Sequence, residues 1–232
     1  MTTGFYEIGC ENKMRNSDNK VLILTGGKIE ETLLKDQMVK ENYSMIIAAD
    51  HGLIIADRMN IKLDYIVGDF DSVSESLLSK YRKLSTPIQT FPTEKDKTDT
   101  QIAIELALMH DATSIDLIGA TGTRLDHVLA NIHLLMLGMQ LNISMYILDI
   151  NNKIYLKNES FLITKCRQYG NFVSLLPFNG QVSDLTIKGF KYPLNNITLT
   201  AGSSLGISNE IMEENAVVEF TNGILVVIES KD

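Results

Sequence analysis

From residue 20 to about residue 149, short β-branched or apolar runs alternate with segments whose apolar residues recur at the helical period. This alternation is typical of βα units built around a mainly parallel sheet. The predicted strands are residues 21–24, 45–49, 65–67, 88–91, 114–118 and 143–148. Because open α/β sheets bind ligands outside the carboxyl ends of their strands, we expect the functional residues in the turns that follow these strands.

From residue 151 onward, short apolar runs are separated by Asn and Gly, and no segment keeps a 3.6-residue period. This pattern predicts an all-β domain. The pair Asn222-Gly223 lies between two apolar runs and predicts a β-hairpin, because a tight primed turn needs positive φ at both central residues. We therefore divide the chain into a polar N-terminal extension, an α/β domain and an all-β domain. Their predicted bounds are residues 1–20, 21–150 and 151–232.

Composition and charge exclude several classes of protein. The 232 residues are 44% apolar and 22% charged, which is typical of a globular chain. A net charge of −8 disfavours binding to nucleic acid or to an anionic membrane. The apolar runs are far shorter than the roughly 20 residues that span a bilayer, and residues 1–20 lack the apolar core of a signal peptide. We expect a cytoplasmic protein without nucleic-acid or membrane partners.

Two carboxylates follow the predicted strand 65–67, in the turn Gly68-Asp69-Phe70-Asp71-Ser72. Carboxylates two residues apart in a loop can converge on Mg²⁺, which takes one or two carboxylates and leaves its other positions to water and phosphate. The same residues also fit an Asx turn that leads into a helix N-cap. Both interpretations of Asp69 and Asp71 stay open on the motif alone.

A second polar group precedes the next predicted helix. Thr98 is followed three residues later by a glutamine, as in a capping box, which puts Asp99 on the first turn at a fixed angle to the sheet edge. Asp96 is explained equally well as compensation of the helix dipole. Lys95, like the lysine two residues on, is either solvated or placed to neutralise a polyphosphate.

The turn at residues 119–124 contains two glycines and leads into a third predicted helix. Such a turn is an anion site, and Arg124 can bind a phosphate with two hydrogen bonds. Asp126 and His127 fall in the first helical turn, and Asn131 follows one turn after His127. A histidine in this place is more often a capping or packing residue than a general base. Arg124 is therefore the stronger candidate for a substrate contact.

In order and spacing, these motifs resemble those of the thiamine pyrophosphokinase family over nearly the whole chain after residue 20. The motifs are Ala49-Asp50-His51-Gly52, Asp64-Tyr65-Ile66-Val67-Gly68-Asp69-Phe70-Asp71-Ser72, Lys95-Asp96-Lys97-Thr98-Asp99, Gly122-Thr123-Arg124-Leu125-Asp126-His127 with Asn131, and Leu205-Gly206-Ile207-Ser208-Asn209-Glu210. His51 and Thr123 stand where the family usually has small residues, so the shape of the turn after the second strand and the approach to Arg124 is expected to differ.

The resemblance implies an α/β domain followed by a β-sandwich domain, paired as a homodimer. It places the thiamine site where the α/β domain of one subunit meets the β domain of the other. The implied reaction moves the two terminal phosphates of ATP as one unit onto the hydroxyl of thiamine, which gives thiamine diphosphate and AMP. ATP and thiamine are thus the expected small-molecule partners, and Mg²⁺ is the expected cofactor.

The same resemblance assigns roles to individual residues. The predicted Mg²⁺ ligands are Asp69, Asp71 and Asp99. The predicted catalytic residues are Asp71, Asp99, Arg124 and Asp126. The predicted substrate-binding residues are Asp50, Lys95, Asp96, Thr98, His127, Asn131, Ser208 and Asn209, of which Ser208 and Asn209 would reach thiamine from the partner subunit. Asp71 or Asp99 is the candidate acceptor for the proton of the thiamine hydroxyl.

Two other functions remain as alternatives. The segment from Asp69 to Val73 fits DxDxV, the nucleophile loop of haloacid-dehalogenase-like Mg²⁺-dependent phosphatases, but that family carries the loop on its first strand and here two βα units precede it. A non-catalytic module that binds a nucleotide or thiamine is the second alternative. Such a module is expected to lack a metal-binding carboxylate, and none is missing from these motifs.

Overall fold

The computed structural model of the chain describes residues 19–70, 73–90 and 96–232. Strands and helices alternate up to β6, and the rest is built almost wholly of strands, which confirms the predicted fold class. The first elements are β1 (Lys20–Leu24), α1 (Glu31–Lys40), β2 (Met45–Ala49), α2 (Gly52–Arg58), β3 (Tyr65–Gly68), α3 (Glu75–Lys83), β4 (Ile88–Thr90), α4 (Asp99–Met109), β5 (Ser114–Ile118), α5 (Leu125–Gln140) and β6 (Ser144–Leu148). The later elements are β7 (Asn152–Lys157), β8 (Phe161–Thr164), a short 3₁₀ helix (Lys165–Arg167), β9 (Phe172–Pro177), β10 (Gln181–Lys188), β11 (Leu194–Thr200), β12 (Asn215–Glu219) and β13 (Leu225–Ser230).

A nine-stranded sheet runs through the whole molecule in the order β4-β3-β2-β1-β5-β6-β7-β13-β9. The first six of these strands are parallel, and β7, β13 and β9 continue the sheet in antiparallel pairing. Every strand predicted before residue 149 is present, although the predicted end of the fourth, residue 91, lies outside the described residues. The predicted N-terminal extension overlaps β1, which begins at Lys20, and residues 1–18 lie outside the described part.

Helices cover both faces of the parallel strands. Successive strand residues point to opposite faces, so Val21 and Ile23 pack under α4 and α5, whereas Leu22 and Leu24 pack under α1, α2 and α3. Burial on both faces explains why β2 and residues 21–24 of β1 are continuous apolar runs. None of the helices in the described ranges is long and apolar enough to cross a membrane.

The C-terminal strands form a two-layer sandwich. A second sheet, in the order β11-β10-β12-β8, packs against the antiparallel end of the large sheet. The predicted domain boundary at residue 151 lies in the turn between β6 and β7, where Ile147 pairs with Ile154. The main-chain hydrogen bonds of the large sheet therefore continue across this position, and the division into two domains stays a prediction.

The predicted hairpin at Asn222-Gly223 is wrong. β12 pairs with β10 and β8 in the small sheet, whereas β13 pairs with β7 and β9 in the large one. Asn222 instead forms a bridge with Ser183, and Gly223 has a φ of 113°. A Cβ on Gly223 would lie 2.5 Å from the carbonyl oxygen of Gln181. The glycine is needed because the chain passes close to β10 as it crosses from one layer to the other.

A buried carboxylate, Asp116, lies in the middle of β5 with 2% of its surface exposed. Its Oδ2 accepts a hydrogen bond of 2.7 Å from the Tyr43 hydroxyl and lies 3.0 Å from the Lys20 ammonium. Burial raises the pKa of the Asp116 carboxyl, although the charge of Lys20 and the hydrogen bond from Tyr43 act in the opposite direction. Asp116 thus serves as the acceptor for the Tyr43 hydroxyl and as an ion-pair partner for Lys20 on the α1 face of the sheet.

Replacing Asp116 by Ala should lower the free energy of unfolding by about 2–4 kcal/mol, because it leaves Lys20 and Tyr43 without their buried acceptor. Urea unfolding followed by circular dichroism measures this loss. The matched control is Glu219→Ala, which breaks an exposed ion pair of 2.8 Å with Lys188 and should cost about 0–1 kcal/mol. Equal losses in the two variants would contradict the structural role of Asp116.

Candidate active site

A cleft of about 590 Å³ opens at the carboxyl ends of β1, β2, β3 and β5. β1 lies between β2 and β5, so the chain builds outward from β1 to β4 on one side and then places β5 and β6 on the other. Such a reversal of strand order leaves a crevice between the two neighbouring strands. All described residues that line the cleft fall between residues 25 and 131. This is the edge of the sheet where the sequence predicts the functional residues.

Two glycine-bearing turns, after β1 and after β5, form the floor of the cleft. The amide of Thr25 donates to the carbonyl of Ile118, and the amide of Gly27 donates to that of Gly119, each over 2.8 Å. A Cβ on Gly27 would lie 2.2 Å from the Gly119 carbonyl oxygen, so the two turns can meet only because this side chain is absent. The sequence predicts the turn after β5 as a site but not the turn after β1, for which the signal is the Gly26-Gly27 pair one residue beyond the strand end. The turns give a ligand close access to the main chain.

Asp50 enters the cleft from the end of β2. Its backbone is left-handed, with a φ of 50°, and its amide donates to the carbonyl of Val67 over 3.0 Å. Its Oδ2 lies 3.0 Å from Nδ1 of His51, which also lines the cleft. The turn after β2 therefore directs a carboxylate toward the centre of the predicted site.

Asp69 and Asp99 line the same cleft, from the residue after β3 and from the first turn of α4. The hydroxyl of Thr98 accepts a 3.2 Å hydrogen bond from the amide of Gln101, which is the predicted N-cap. The reciprocal half of the capping box is not formed, since the Gln101 side chain donates to Glu105 instead. Asp71, predicted as a metal ligand and catalytic residue, and Lys95, predicted to bind substrate, lie outside the described residues.

The donor set in this cleft fits a hard cation. Carboxylates are ligands that Mg²⁺ prefers, and one or two of them suffice because water and substrate phosphates complete its octahedron. In the part of the chain that the structure describes, no group of three or more His, Cys, Asp or Glu side chains is placed to hold a metal. Asp69 and Asp99, which both line the cleft, are ligands of the kind that such an ion takes.

Arg124 lines the cleft at the N-cap position of α5. Its guanidinium donates twice to Asp126, over 2.7 Å from Nη2 and 3.3 Å from Nε. This guanidinium, with the amide of His127, lowers the pKa of the Asp126 carboxyl to about 2. Asp126 is not among the described residues that line the cleft and lies beside Arg124 instead. At neutral pH it is ionised and orients the guanidinium.

The other predicted residues of this region are divided between two pockets. His127 and Asn131 line the cleft, and the buried Asn131 amide donates to the carbonyl of Ala120 over 2.7 Å. Asn131 thus joins α5 to the turn after β5. Asp96 lies instead in an adjoining, mostly apolar pocket on the outer side of α4. Lys97 lines both pockets, and its ammonium pairs with Glu105 over 2.7 Å.

Ser208 and Asn209 are not brought to the cleft of their own chain. Asn209 is buried, and its side chain accepts hydrogen bonds from the amides of Tyr192 and Glu210 and donates to the Tyr192 carbonyl. The amide of Ser208 donates to the hydroxyl of Ser174 over 3.0 Å, and the Ser208 residue itself is exposed. Asn209 therefore fixes the loop, and the loop presents Ser208 at the surface.

Comparison with known proteins finds matches on both halves of the chain. Residues 37–147 match the family model for the thiamin pyrophosphokinase catalytic domain, and residues 160–225 match the model for the thiamin pyrophosphokinase vitamin B1 binding domain. The thiamine pyrophosphokinase of Bacillus subtilis (strain 168) is 34% identical over 192 residues, which cover 83% of this chain and 90% of that protein.

Solved structures agree with the sequence matches. The crystal structure of thiamine pyrophosphokinase from Bacillus subtilis has a TM-score of 0.82 and 32% identity, covering 92% of this chain and 99% of that chain. The thiamin pyrophosphokinase structure from Geobacillus thermodenitrificans has a TM-score of 0.78 and 31% identity, covering 92% of this chain and 98% of that chain. The likeness therefore includes the large sheet and the sandwich together.

Proposed function

Because this chain belongs to the thiamine pyrophosphokinase family and is an ATP-dependent thiamine diphosphokinase, we propose that the cleft at the carboxyl ends of β1, β2, β3 and β5 is its catalytic site. The observation that carries this proposal is the convergence of Asp69, Asp99 and Arg124 on two glycine turns at the reversal of strand order. Asp69 and Asp99 supply carboxylate ligands for a cation, and Arg124 supplies hydrogen-bond donors for a phosphate.

Positioning and charge neutralisation perform most of the chemistry in this site. Attack at the β-phosphorus of ATP needs the triphosphate fixed and the hydroxyl of thiamine held in line with the bond that breaks. Arg124, held by Asp126, binds phosphate oxygens, and the main chain of the two glycine turns borders the same space. Asp69, Asp71 and Asp99 would hold Mg²⁺, which neutralises negative charge on the triphosphate when it is bound.

The hydroxyl of thiamine must also lose its proton as it attacks. A carboxylate oxygen of Asp71 or Asp99 is the proposed acceptor, because both carboxylates are among the proposed Mg²⁺ ligands. Thr98 caps α4 and fixes the first turn on which Asp99 lies. Asp50 adds a third carboxylate to the described lining of the cleft, which suits a cationic acceptor such as thiamine.

We propose that the active protein is a homodimer whose two sites lie at the subunit interface. The described lining of the cleft contains no residue from the sandwich, so Ser208 can reach it only from another copy. Large apolar side chains are exposed on both surfaces that would meet. Leu125 and Leu129 lie on α5 next to residues that line the cleft, and Leu205, Ile207 and Met212 lie within four residues of Ser208 in the chain. Pairing the two surfaces would remove these side chains from water.

The alternatives receive less support. The DxDxV segment follows the third strand in chain order, not the first, which does not fit a haloacid-dehalogenase-like phosphatase. A non-catalytic binding module would not need the cation-binding carboxylates. The cytoplasmic location stays a prediction of the sequence.

Product analysis tests the proposed activity. The purified chain is incubated with ATP, Mg²⁺ and thiamine, and the products are identified by mass spectrometry. Thiamine diphosphate and AMP in equal amounts are expected. Thiamine monophosphate with ADP would change the reaction class, and inorganic phosphate alone would favour the phosphatase.

Replacing Ser208 by Ala should raise the KM for thiamine about fivefold, which corresponds to the loss of about one hydrogen bond. The KM for ATP should stay within about twofold, because Ser208 is proposed to contact only thiamine. Initial rates at saturating concentration of the other substrate give both constants. Ser204→Ala, an exposed serine of the same loop, is the matched control. Equal rises in both KM values would count against a thiamine contact.

A further inference from the structure

The backbone at Asp50 is strained in a way that fixes a side-chain direction. A φ of 50° lies in the left-handed region, which is unfavourable for most residues with a Cβ, and such positions concentrate at functional sites. Two hydrogen bonds hold the conformation, from the Asp50 amide to Val67 over 3.0 Å and from the Leu53 amide to the Asp50 carbonyl over 3.1 Å. The Asp50 carboxylate is consequently aimed across the end of β1.

The space around this carboxylate is narrow. A Cβ on Gly26 would lie 3.0 Å from Oδ2 of Asp50, so the turn after β1 leaves just enough room for the carboxylate. On another side, Nδ1 of His51 lies 3.0 Å from the same oxygen. The His51 side chain is about half exposed and lines the cleft. The carboxylate thus lies between a glycine and an imidazole.

We propose that His51 is a positioning residue that holds Asp50 for the cationic substrate, an inference that rests on the proposed function of the cleft. An ionised carboxylate only accepts hydrogen bonds. The hydrogen bond between the two side chains is therefore donated by an N–H at Nδ1 of His51 and accepted by Oδ2 of Asp50. This hydrogen bond selects one orientation of the carboxylate and keeps it over the cleft floor. An alanine at this position would not supply that donor.

The charge of Asp50 indicates which substrate it receives. A carboxylate repels phosphate oxygens and attracts a cation in a partly desolvated cleft. The positively charged acceptor of the reaction is therefore assigned to Asp50, and ATP to the side of Arg124. His51 accordingly tunes the affinity for thiamine without contacting the reacting atoms.

Steady-state kinetics of His51 variants tests the assignment. His51→Ala should raise the KM for thiamine about tenfold and leave the KM for ATP within about twofold, as expected when a group that orients a ligand-binding side chain is lost. His51→Asn should restore the KM to within about threefold of wild type, because its amide can place an N–H near the position of Nδ1. His133→Ala, an exposed histidine on α5, is the control and should behave like wild type.

A double-mutant cycle separates positioning from a general structural role. If His51 acts through Asp50, the double variant Asp50→Asn/His51→Ala should have the same KM for thiamine as Asp50→Asn alone. The inference would be overturned if the two substitutions raised the KM for thiamine additively. It would also be overturned if His51→Asn raised this KM as much as His51→Ala. Failure of the proposed function would appear differently, as a wild-type chain that forms no thiamine diphosphate. Calorimetric titration of each variant with thiamine gives the same comparison independently of turnover.

Discussion

Replacing Asp99 by Asn should lower kcat for pyrophosphoryl transfer at least about a thousandfold, the scale on which loss of charge stabilisation acts in such sites. The substitution keeps the size of the side chain and the N-cap at Thr98, but it removes the negative charge proposed to bind Mg²⁺ and the oxygen proposed to accept a proton. Initial rates over a range of Mg²⁺ concentrations measure the effect. The thermal unfolding midpoint should stay close to that of wild type.

The matched control for this prediction is Asp111→Asn, just beyond the other end of α4. Asp111 has a left-handed backbone with a φ of 57°, which Asn also tolerates, and it does not line the cleft. This variant should keep wild-type activity. If the Asp99→Asn variant transferred the pyrophosphoryl group at a rate close to that of wild type, Asp99 would be neither a metal ligand nor the proton acceptor.

Mixing two inactive variants should restore activity if the sites lie between subunits. Arg124→Ala removes the proposed phosphate ligand from the cleft, and Ser208→Tyr fills the surface proposed to enter the partner's cleft. In a mixed dimer, both substitutions fall in one site and the other site is intact. With random pairing, half of the dimers are mixed, so about a quarter of wild-type activity should return. Differently tagged chains, exchanged or expressed together, provide the measurement.

The control for complementation is a mixture of Arg124→Ala with Asp99→Asn. Both residues lie in the cleft of one chain, so every site in a mixed dimer carries one defect and no activity should return. Recovery of activity in this control would refute the interface site. A chain that elutes as a monomer and shows no recovery in either mixture would refute it as well. Recovery only in the first mixture would support it.

The sequence by itself determined the order of elements in the first part of the chain. Strands such as β1 and β2 are apolar runs of four or five residues because both of their faces are buried, and this requirement is visible in consecutive letters. The turns after β2, β3 and β5 carry Asp50, Asp69 and Arg124, and they meet because parallel strands place their carboxyl ends at one edge. Local signals therefore sufficed to select most of the lining of the cleft.

Only the tertiary structure decided which segments meet. Asn222-Gly223 satisfies a local rule for a hairpin, yet Val218 of β12 and Val227 of β13 pack within the core between two layers instead of pairing side by side. The same holds for the contact of Gly27 with Gly119, which joins the turns after β1 and β5. A turn motif fixes only a few dihedral angles. Which strands pair depends instead on how apolar faces that are distant in the sequence are buried together, and many segments share the free energy of that burial.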